Sequence, residues 1–85
     1  MNIIRTDPFK KDFKRLPKEI KRKTEQSLRF LIENIQHPSL RVKKMEGVRD
    51  IWEASVTMQY RFTFEIREDD IILRRIGTHD ILKRP

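Results

Sequence analysis

The sequence predicts an α+β fold, in which an N-terminal strand and a helical hairpin pack on one face of a three- to four-stranded antiparallel sheet. Apolar residues recur at helical spacing across residues 7–36, and strand-like alternation follows in residues 51–76. A sheet with one apolar face must bury that face, and the N-terminal helices are the layer available to cover it. At 85 residues we expect one domain spanning residues 1–85.

The first elements are a short strand and a short helix. Residues 2–5 carry two isoleucines and form a candidate edge strand. Asp7 followed by Pro8 is typical of a helix start, with an N-cap acceptor before a proline in the first turn. One face of this helix is apolar, with residues at i, i+4 and i+7: Phe9, Phe13 and Leu16. Pro17 ends the helix, because a residue that precedes proline avoids the helical region.

A second helix is predicted from Pro17 to about Gln36. Its buried stripe has helical periodicity and consists of Ile20, Thr24, Leu28, Leu31, Ile32 and Ile35. The remaining positions are mostly lysine, arginine and glutamate, so this helix has a solvated outer side. His37-Pro38 ends the helical part of the chain.

The second half of the chain predicts strands. Residues 42–45 form a short one, and residues 51–56, 60–67 and 71–76 form the main three, joined by polar connections at 57–59 and 68–70. Alternation in residues 60–67 places one set of side chains inward: Tyr60, Phe62, Phe64 and Ile66. We expect a core of Phe9, Phe13, Leu28, Leu31, Ile35, Trp52, Phe62, Phe64 and Ile72, with residues 79–85 as a short tail.

Composition restricts the classes of function. The chain has 20 Lys and Arg against 13 Asp and Glu, a net charge of +7. This excess favours a polyanionic partner, either nucleic acid or an acidic protein, over a merely basic surface. The chain has no cysteine, which excludes disulfides, thiolate catalysis and zinc–thiolate sites. No apolar run is long enough for a membrane span or a signal peptide, so we expect a cytoplasmic protein without a membrane partner.

We expect no metal and no cofactor. His37 and His79 are the only histidines and lie far apart in the sequence, which is not the spacing of a metal site. The two glycines, Gly47 and Gly77, form no phosphate-binding loop. A serine nucleophile stays open, although no serine lies in a recognisable nucleophile turn.

The candidate site combines Arg61, His79 and Glu53 with the basic residues Arg41, Lys43 and Lys44. Cleaving RNA without a metal requires a base for the 2′-hydroxyl, a cation for the phosphorane charge and an acid for the leaving 5′-oxygen. Histidine suits proton transfer near neutral pH, and arginine binds two phosphate oxygens at once. Strand parity places Arg61 on the face opposite Phe62, and Glu53 on the preceding strand can share that face.

Each of these residues also has an ordinary interpretation. His79 is equally compatible with a surface histidine at a strand end. Arg61 is compatible with cross-strand pairing to Glu53 or Glu65. The two lysines at 43 and 44 are compatible with a solvated run of charge. The residues alone therefore leave a nuclease, a nucleic-acid-binding module and a protein-binding module open.

Three segments resemble the RelE/ParE superfamily of toxins from bacterial toxin–antitoxin systems. They are Met45-Glu46-Gly47-Val48-Arg49-Asp50-Ile51-Trp52-Glu53, Tyr60-Arg61-Phe62-Thr63-Phe64 and Ile76-Gly77-Thr78-His79-Asp80. The similarity extends over essentially the whole chain, and the last segment is most similar to the YafQ branch. The resemblance implies a ribosome-dependent endoribonuclease that cuts mRNA and is neutralised by a cognate antitoxin. The ParE branch instead implies an inhibitor of DNA gyrase.

The resemblance also assigns roles. His79 matches the catalytic histidine of the YafQ branch, and Arg61 matches the arginine that contacts the scissile phosphate. Where that branch has further histidines, this chain has Lys43, Lys44, Arg49 and Glu53, and Lys83 replaces an aromatic residue. We therefore expect a catalytic set of His79, Arg61 and Glu53, and an RNA-binding set of Arg41, Lys43, Lys44, Arg49, Arg75 and Lys83. The oligomeric state stays undecided.

Overall fold

The computed structural model describes residues 2–85. The strands are β1 (Asn2–Arg5), β2 (Lys43–Lys44), β3 (Trp52–Ser55), β4 (Arg61–Arg67) and β5 (Asp70–Gly77), and the helices are α1 (Asp7–Lys14) and α2 (Lys18–Glu33). A short turn of 3₁₀ helix covers Pro38–Leu40, and a second 3₁₀ helix, here the C-terminal helix, covers His79–Lys83. Within the described residues, no helix has the length and apolar character needed to cross a membrane.

The sheet is larger than predicted and is mixed. Its five strands follow the order β1-β5-β4-β3-β2. The pairs β2–β3, β3–β4 and β4–β5 are antiparallel, whereas β1 is parallel to β5, with Ile3 opposite Ile71. The α+β class, the helical hairpin on the sheet and the antiparallel pairing of the four strands β2–β5 are confirmed, whereas the parallel addition of β1, which makes five strands, was not predicted. The reason is that β1 pairs with a distant strand, which local periodicity does not reveal.

The core lies between the two helices and the sheet. Most of the predicted members are fully or almost fully buried: Phe9, Leu28, Leu31, Phe62 and Phe64. Others are partly buried and pack against this cluster: Phe13, Ile35 and Trp52. The helical stripe is wrong at Ile32, which is 49% exposed, because α2 ends at Glu33 and this side chain lies outside the packed layer.

A bulge explains the error in the predicted inward face of β5. Thr63 pairs with Arg75 but Phe64 pairs with Leu73, so Arg74 is an extra residue in β5. The inward side chains of β5 are therefore Ile71, Leu73 and Ile76, and the predicted core position of Ile72 is wrong. Ile66, also predicted to point inward, is 36% exposed near the end of β4.

Helix α1 begins differently from the prediction and closes one edge of the sheet. Its N-cap is Thr6 rather than Asp7, and the Thr6 Oγ1 atom accepts from the Phe9 N–H and donates to the Leu73 carbonyl. Past the end of β1, the Asp12 Oδ2 atom accepts from the Ile76 N–H at 3.2 Å. The edge of β5 is therefore satisfied by α1, which removes an exposed strand edge.

The second face of the sheet is only partly open. Residues 79–85 form no loose tail, because Ile81 of the C-terminal helix is 8% exposed and contacts the sheet. The Thr63 hydroxyl donates to the Pro85 carbonyl at 3.0 Å, and Thr63 itself is fully buried. This contact leaves open the end of the sheet where β3 and β4 are joined.

Candidate functional site

The open end of the sheet carries polar side chains from adjacent strands. Ser55 is the cross-strand partner of Arg61, and Glu53 is the partner of Thr63. Glu53, Ser55 and Arg61 therefore lie on one face, opposite the face that buries Phe62. The structure thus brings together Glu53 and Arg61, which strand parity had placed on one face.

Arg61 is held in a fixed orientation. Its Nη1 atom donates to the Ser55 hydroxyl at 2.9 Å and to the Thr57 carbonyl at 3.0 Å. Its side chain is only 17% exposed. The Thr57 Oγ1 atom accepts from the Gln59 and Tyr60 N–H groups, which fixes the loop that presents the Thr57 carbonyl. Among residues 2–85, Nη2 of Arg61 makes no hydrogen bond, so this part of the fork is available to a ligand.

Glu53 is a buried carboxylate between two cations. Its Oε1 atom lies 4.0 Å from Nε of Arg61 and 3.9 Å from Nζ of Lys43. Both distances are ion-pair contacts and exceed hydrogen-bond length. The ordinary interpretation of Arg61, pairing with Glu53, is therefore present in part, while the Arg61 hydrogen bonds go to Ser55 and Thr57.

A cleft of about 420 Å³ lies beside Arg61, between the Pro38–Leu40 turn and the β3–β4 connection. Arg41, which ends that turn, also lines the cleft and has a left-handed backbone with φ of 48°. The turn is fixed at its start, because Nδ1 of His37 accepts from the Ser39 N–H and the His37 ring stacks on Phe30. Two arginines from separate elements therefore border one cleft, an arrangement suited to an anion.

His79 enters this end of the sheet from β5. Gly77, the last residue of β5, is the cross-strand partner of Arg61, and the exposed His79 begins the C-terminal helix two residues later. Gly77 permits the close approach of that helix, because a Cβ atom there would lie 2.9 Å from Cγ2 of Ile81. His79 does not line the cleft beside Arg61.

The remaining predicted residues divide into two groups. Arg41, Lys43, Lys44 and Arg49 are exposed and precede β3 in the chain, and Lys43 and Lys44 form the edge strand β2 beside β3. Arg75 and Lys83 border a separate depression with Asp80. Arg75 binds Asp12 through Nε at 2.6 Å and Nη2 at 3.2 Å, and this hydrogen-bonded pair raises the pKa of the Arg75 guanidinium.

The family model for the ParE toxin of type II toxin–antitoxin systems (parDE) matches residues 3–82. The chain belongs to this family of toxins. No curated protein sequence matches the toxin significantly.

Solved structures share the toxin's fold at low identity. YafQ from E. coli strain BL21(DE3) is 20% identical, with a TM-score of 0.78 over 95% of this chain and 96% of that chain. The YoeB/ParE toxin from Agrobacterium tumefaciens is 14% identical, with a TM-score of 0.80 over 93% and 99%. A chain of the RelB–RelE antitoxin–toxin complex from Methanococcus jannaschii is 21% identical, with a TM-score of 0.76 over 94% of each chain. These similarities establish the RelE-like fold of the toxin.

Sequence reasoning missed the residues that hold Arg61 in place. Ser55 and Thr57 of the toxin supply the two acceptors for Nη1 of Arg61. Ser55 has the same strand parity as Glu53, so the sequence contained one signal for it. The Thr57 contact uses a backbone carbonyl in a loop, which side-chain patterns do not reveal.

Proposed function

We propose that the toxin is a ribosome-dependent, metal-independent endoribonuclease that cuts mRNA and so inhibits translation. The observation that carries the proposal is the Arg61 guanidinium, held by Ser55 and Thr57 beside an open cleft. His79 begins two residues beyond Gly77, the strand partner of Arg61, which supports a shared site. The site lies in the cytoplasm on this proposal, because mRNA and ribosomes are there.

In the proposed reaction, the 2′-oxygen loses its proton and attacks the adjacent phosphorus. Arg61 binds the phosphate and stabilises the charge that accumulates on the phosphorane. The bond from phosphorus to the 5′-oxygen then breaks, and His79 donates a proton to that leaving oxygen. The products are a 2′,3′-cyclic phosphate and a free 5′-hydroxyl, and the residues in these roles require no metal.

For the base that activates the 2′-hydroxyl we retain two candidates. Glu53 forms an ion pair with Arg61, with its Oε1 atom 4.0 Å from Nε of that residue. The other candidate is the pair of exposed lysines on β2, Lys43 and Lys44. Across the β2–β3 pair, Lys43 lies opposite Glu53 and Lys44 lies opposite Trp52. Either candidate would act on RNA that the ribosome positions.

The proposed RNA-contacting set is Arg41, Lys43, Lys44, Arg49 and Lys83. Arg75 is removed from it, because Asp12 occupies two of its donor groups. The proposed protein partner is a cognate antitoxin, supported by family membership and by the RelB–RelE antitoxin–toxin complex among the structural neighbours. Since the toxin is basic, association with an acidic antitoxin should slow as salt rises.

The second candidate function is inhibition of DNA gyrase. The observation that favours it is the match to a ParE toxin model over residues 3–82. On that hypothesis, toxicity persists without His79 and loss of supercoiling accompanies growth arrest. A purely RNA- or protein-binding member of the fold would cleave nothing.

The deciding experiment induces the wild-type toxin, His79→Ala and Arg61→Ala in bacteria and maps mRNA ends and plasmid supercoiling. Arg67→Ala is the matched control, because Arg67 is an exposed arginine on the same strand as Arg61. We expect mRNA cleavage by the wild type and by Arg67→Ala, and strong loss of cleavage in the other two. Full toxicity of His79→Ala together with relaxed plasmids would replace the nuclease proposal by the gyrase one.

A further inference from the structure

The positive charge of the toxin is concentrated in the helical hairpin. Residues 10–23 contain eight Lys and Arg and two carboxylates, a net of +6 out of +7 for the chain. The rest of the chain, including the cleft and His79, is almost balanced, with 12 Lys and Arg against 11 carboxylates. The excess charge that suggested a polyanionic partner is therefore mostly outside the proposed cleavage site.

The cations of this segment have few internal partners. Glu19 pairs with Arg22, and Asp12 pairs with Arg75, so both carboxylates of the segment are occupied. Among residues 2–85, the other cations of the segment form no ion pair: Lys10, Lys11, Lys14, Arg15, Lys18, Lys21 and Lys23. Like charges at this density repel one another and are stabilised by a bound polyanion.

We call the outward side of residues 10–23 the hairpin surface. Its first four cations are Lys10, Lys11, Lys14 and Arg15, two pairs about one helical turn of ~5.4 Å apart. Lys18 is the first residue of α2 and is also exposed. The helices cover the sheet face that buries Phe62, whereas Arg61 projects from the opposite face. The hairpin surface is therefore separate from the cleft beside Arg61.

We propose that the hairpin surface binds the phosphate backbone of folded RNA, as a docking surface distinct from the cleavage site. Exposed large apolar side chains occur at Ile4, Ile32, Met58 and Ile66, and within the described chain none lies in residues 10–23. Protein interfaces have an apolar core and are depleted in lysine, so this surface lacks what a protein partner needs. Lysine-rich surfaces without such a core are typical of contacts to phosphate, which set position rather than sequence.

The inference does not require that Arg61 and His79 cleave RNA, and the test separates the two. The probe is an RNA hairpin of about 20 base pairs, a length chosen to exceed the ~16 base pairs that one small RNA-binding domain spans. Every 2′-hydroxyl is methylated, so the proposed cleavage reaction is blocked. Binding is followed by fluorescence anisotropy over a range of salt concentrations.

The test variant is Lys14→Gln/Lys18→Gln, and the control is Arg67→Gln/Arg84→Gln, which removes the same charge from exposed positions elsewhere. Glutamine retains helix propensity, so α1 and α2 should stay folded, as circular dichroism checks. Each lost phosphate contact should lower the slope of log affinity against log salt by about 0.7–0.9. We expect a slope reduced by about 1.4–1.8 and affinity at least about tenfold weaker for the test pair.

The control pair should bind the probe nearly as well as the wild type. An unchanged slope in the test pair, or an equal loss in the control pair, would overturn the proposal. In the last part of the test, an oligoglutamate peptide with the same net charge as the RNA probe competes with that probe for the toxin. If that peptide displaces the RNA at lower concentration than unlabelled RNA does, the surface belongs to an acidic protein and the RNA assignment is wrong.

Discussion

The Nη1 atom of Arg61 donates a hydrogen bond to the Oγ atom of Ser55, 2.9 Å away on the neighbouring strand. The two residues are direct cross-strand partners, so the sheet itself sets their separation. Because the same Nη1 atom also donates to the Thr57 carbonyl, the guanidinium plane is fixed before any ligand arrives. An arginine with a preset orientation loses less entropy when it binds a phosphate.

Ser55→Ala should therefore slow cleavage while the toxin stays folded. One hydrogen bond to Arg61 is lost, and the expected change in the free energy of unfolding is about 1–2 kcal/mol. We expect the cleavage rate to fall by roughly tenfold at saturating RNA, because the guanidinium is no longer oriented. Ser55→Thr retains the hydroxyl and should recover most of the rate. Equal rates for the alanine variant and the wild type would show that Ser55 does not position Arg61.

His79→Ala should lower single-turnover mRNA cleavage on the ribosome by about 10²–10⁴, the usual contribution of one general acid. His79 is exposed, so the melting temperature should stay close to that of the wild type. Asp80→Asn is the control, since Asp80 is an exposed neighbour in the same helix. Wild-type products should end in a 2′,3′-cyclic phosphate. Products with a 3′-hydroxyl would contradict attack by the 2′-oxygen.

Gly77→Ala should move the C-terminal helix. The added Cβ atom would lie 2.9 Å from Cγ2 of Ile81, so the Ile81 side chain has to give way, and we expect the helix that begins with His79 to shift with it. We expect a stability loss of about 1–3 kcal/mol, typical of overpacking, together with slower cleavage. Combining Gly77→Ala with Ile81→Leu removes the Cγ2 methyl and should restore part of both. No recovery in that double variant would mean that the clash is not the cause.

Glu65 should make the stability of the toxin dependent on acid pH. Burial alone would raise the pKa of Glu65, but hydrogen bonds from Arg74 and Arg67 outweigh it, and the pKa lies below its ordinary value of 4.5. A carboxylate with a lowered folded-state pKa contributes stability that is present above the unfolded pKa. That contribution is lost as pH falls through the folded pKa.

Glu65→Gln should therefore be less stable than the wild type at pH 7, by about 1–3 kcal/mol. The difference should shrink as pH falls below 4.5, where the wild-type carboxylate becomes protonated. Urea unfolding at several pH values measures it. Glu46→Gln is the control, because Glu46 is exposed and forms no ion pair among the described residues. A constant difference from pH 7 to pH 3 would contradict the assignment.

The sequence predicts those parts of the structure that depend on neighbouring residues. Periodicity places Phe9 and Leu28 inward on their helices and Phe62 inward on β4, since each pattern reports one buried face. The same parity rule places Glu53 and Arg61 together on the other face. It fails at Ile72, because the bulge at Arg74 shifts the faces of β5 and no local pattern announces a bulge.

Contacts between distant segments were not predictable in this way. The pairing of β1 with β5 and the docking of residues 79–85 on Thr63 depend on the assembled sheet. The hydrogen-bond acceptors of Arg61 were missed for a similar reason, since the Thr57 acceptor is a backbone carbonyl whose position depends on a loop. The net charge was known from the sequence, but its location was not predicted, because a net charge does not say which surface carries it.

The parallel pairing of β1 with β5 has a consequence for how the toxin is made. Residues 2–5 are synthesised more than 60 residues before their partners, residues 70–73. At about 5–20 residues per second, the nascent chain spends several seconds with β1 unpaired and with α1 and α2 lacking the sheet that covers their apolar sides. Arg61 likewise gains its neighbour Gly77 only at that stage. The sheet of a toxin molecule therefore cannot be completed until β5 has been translated.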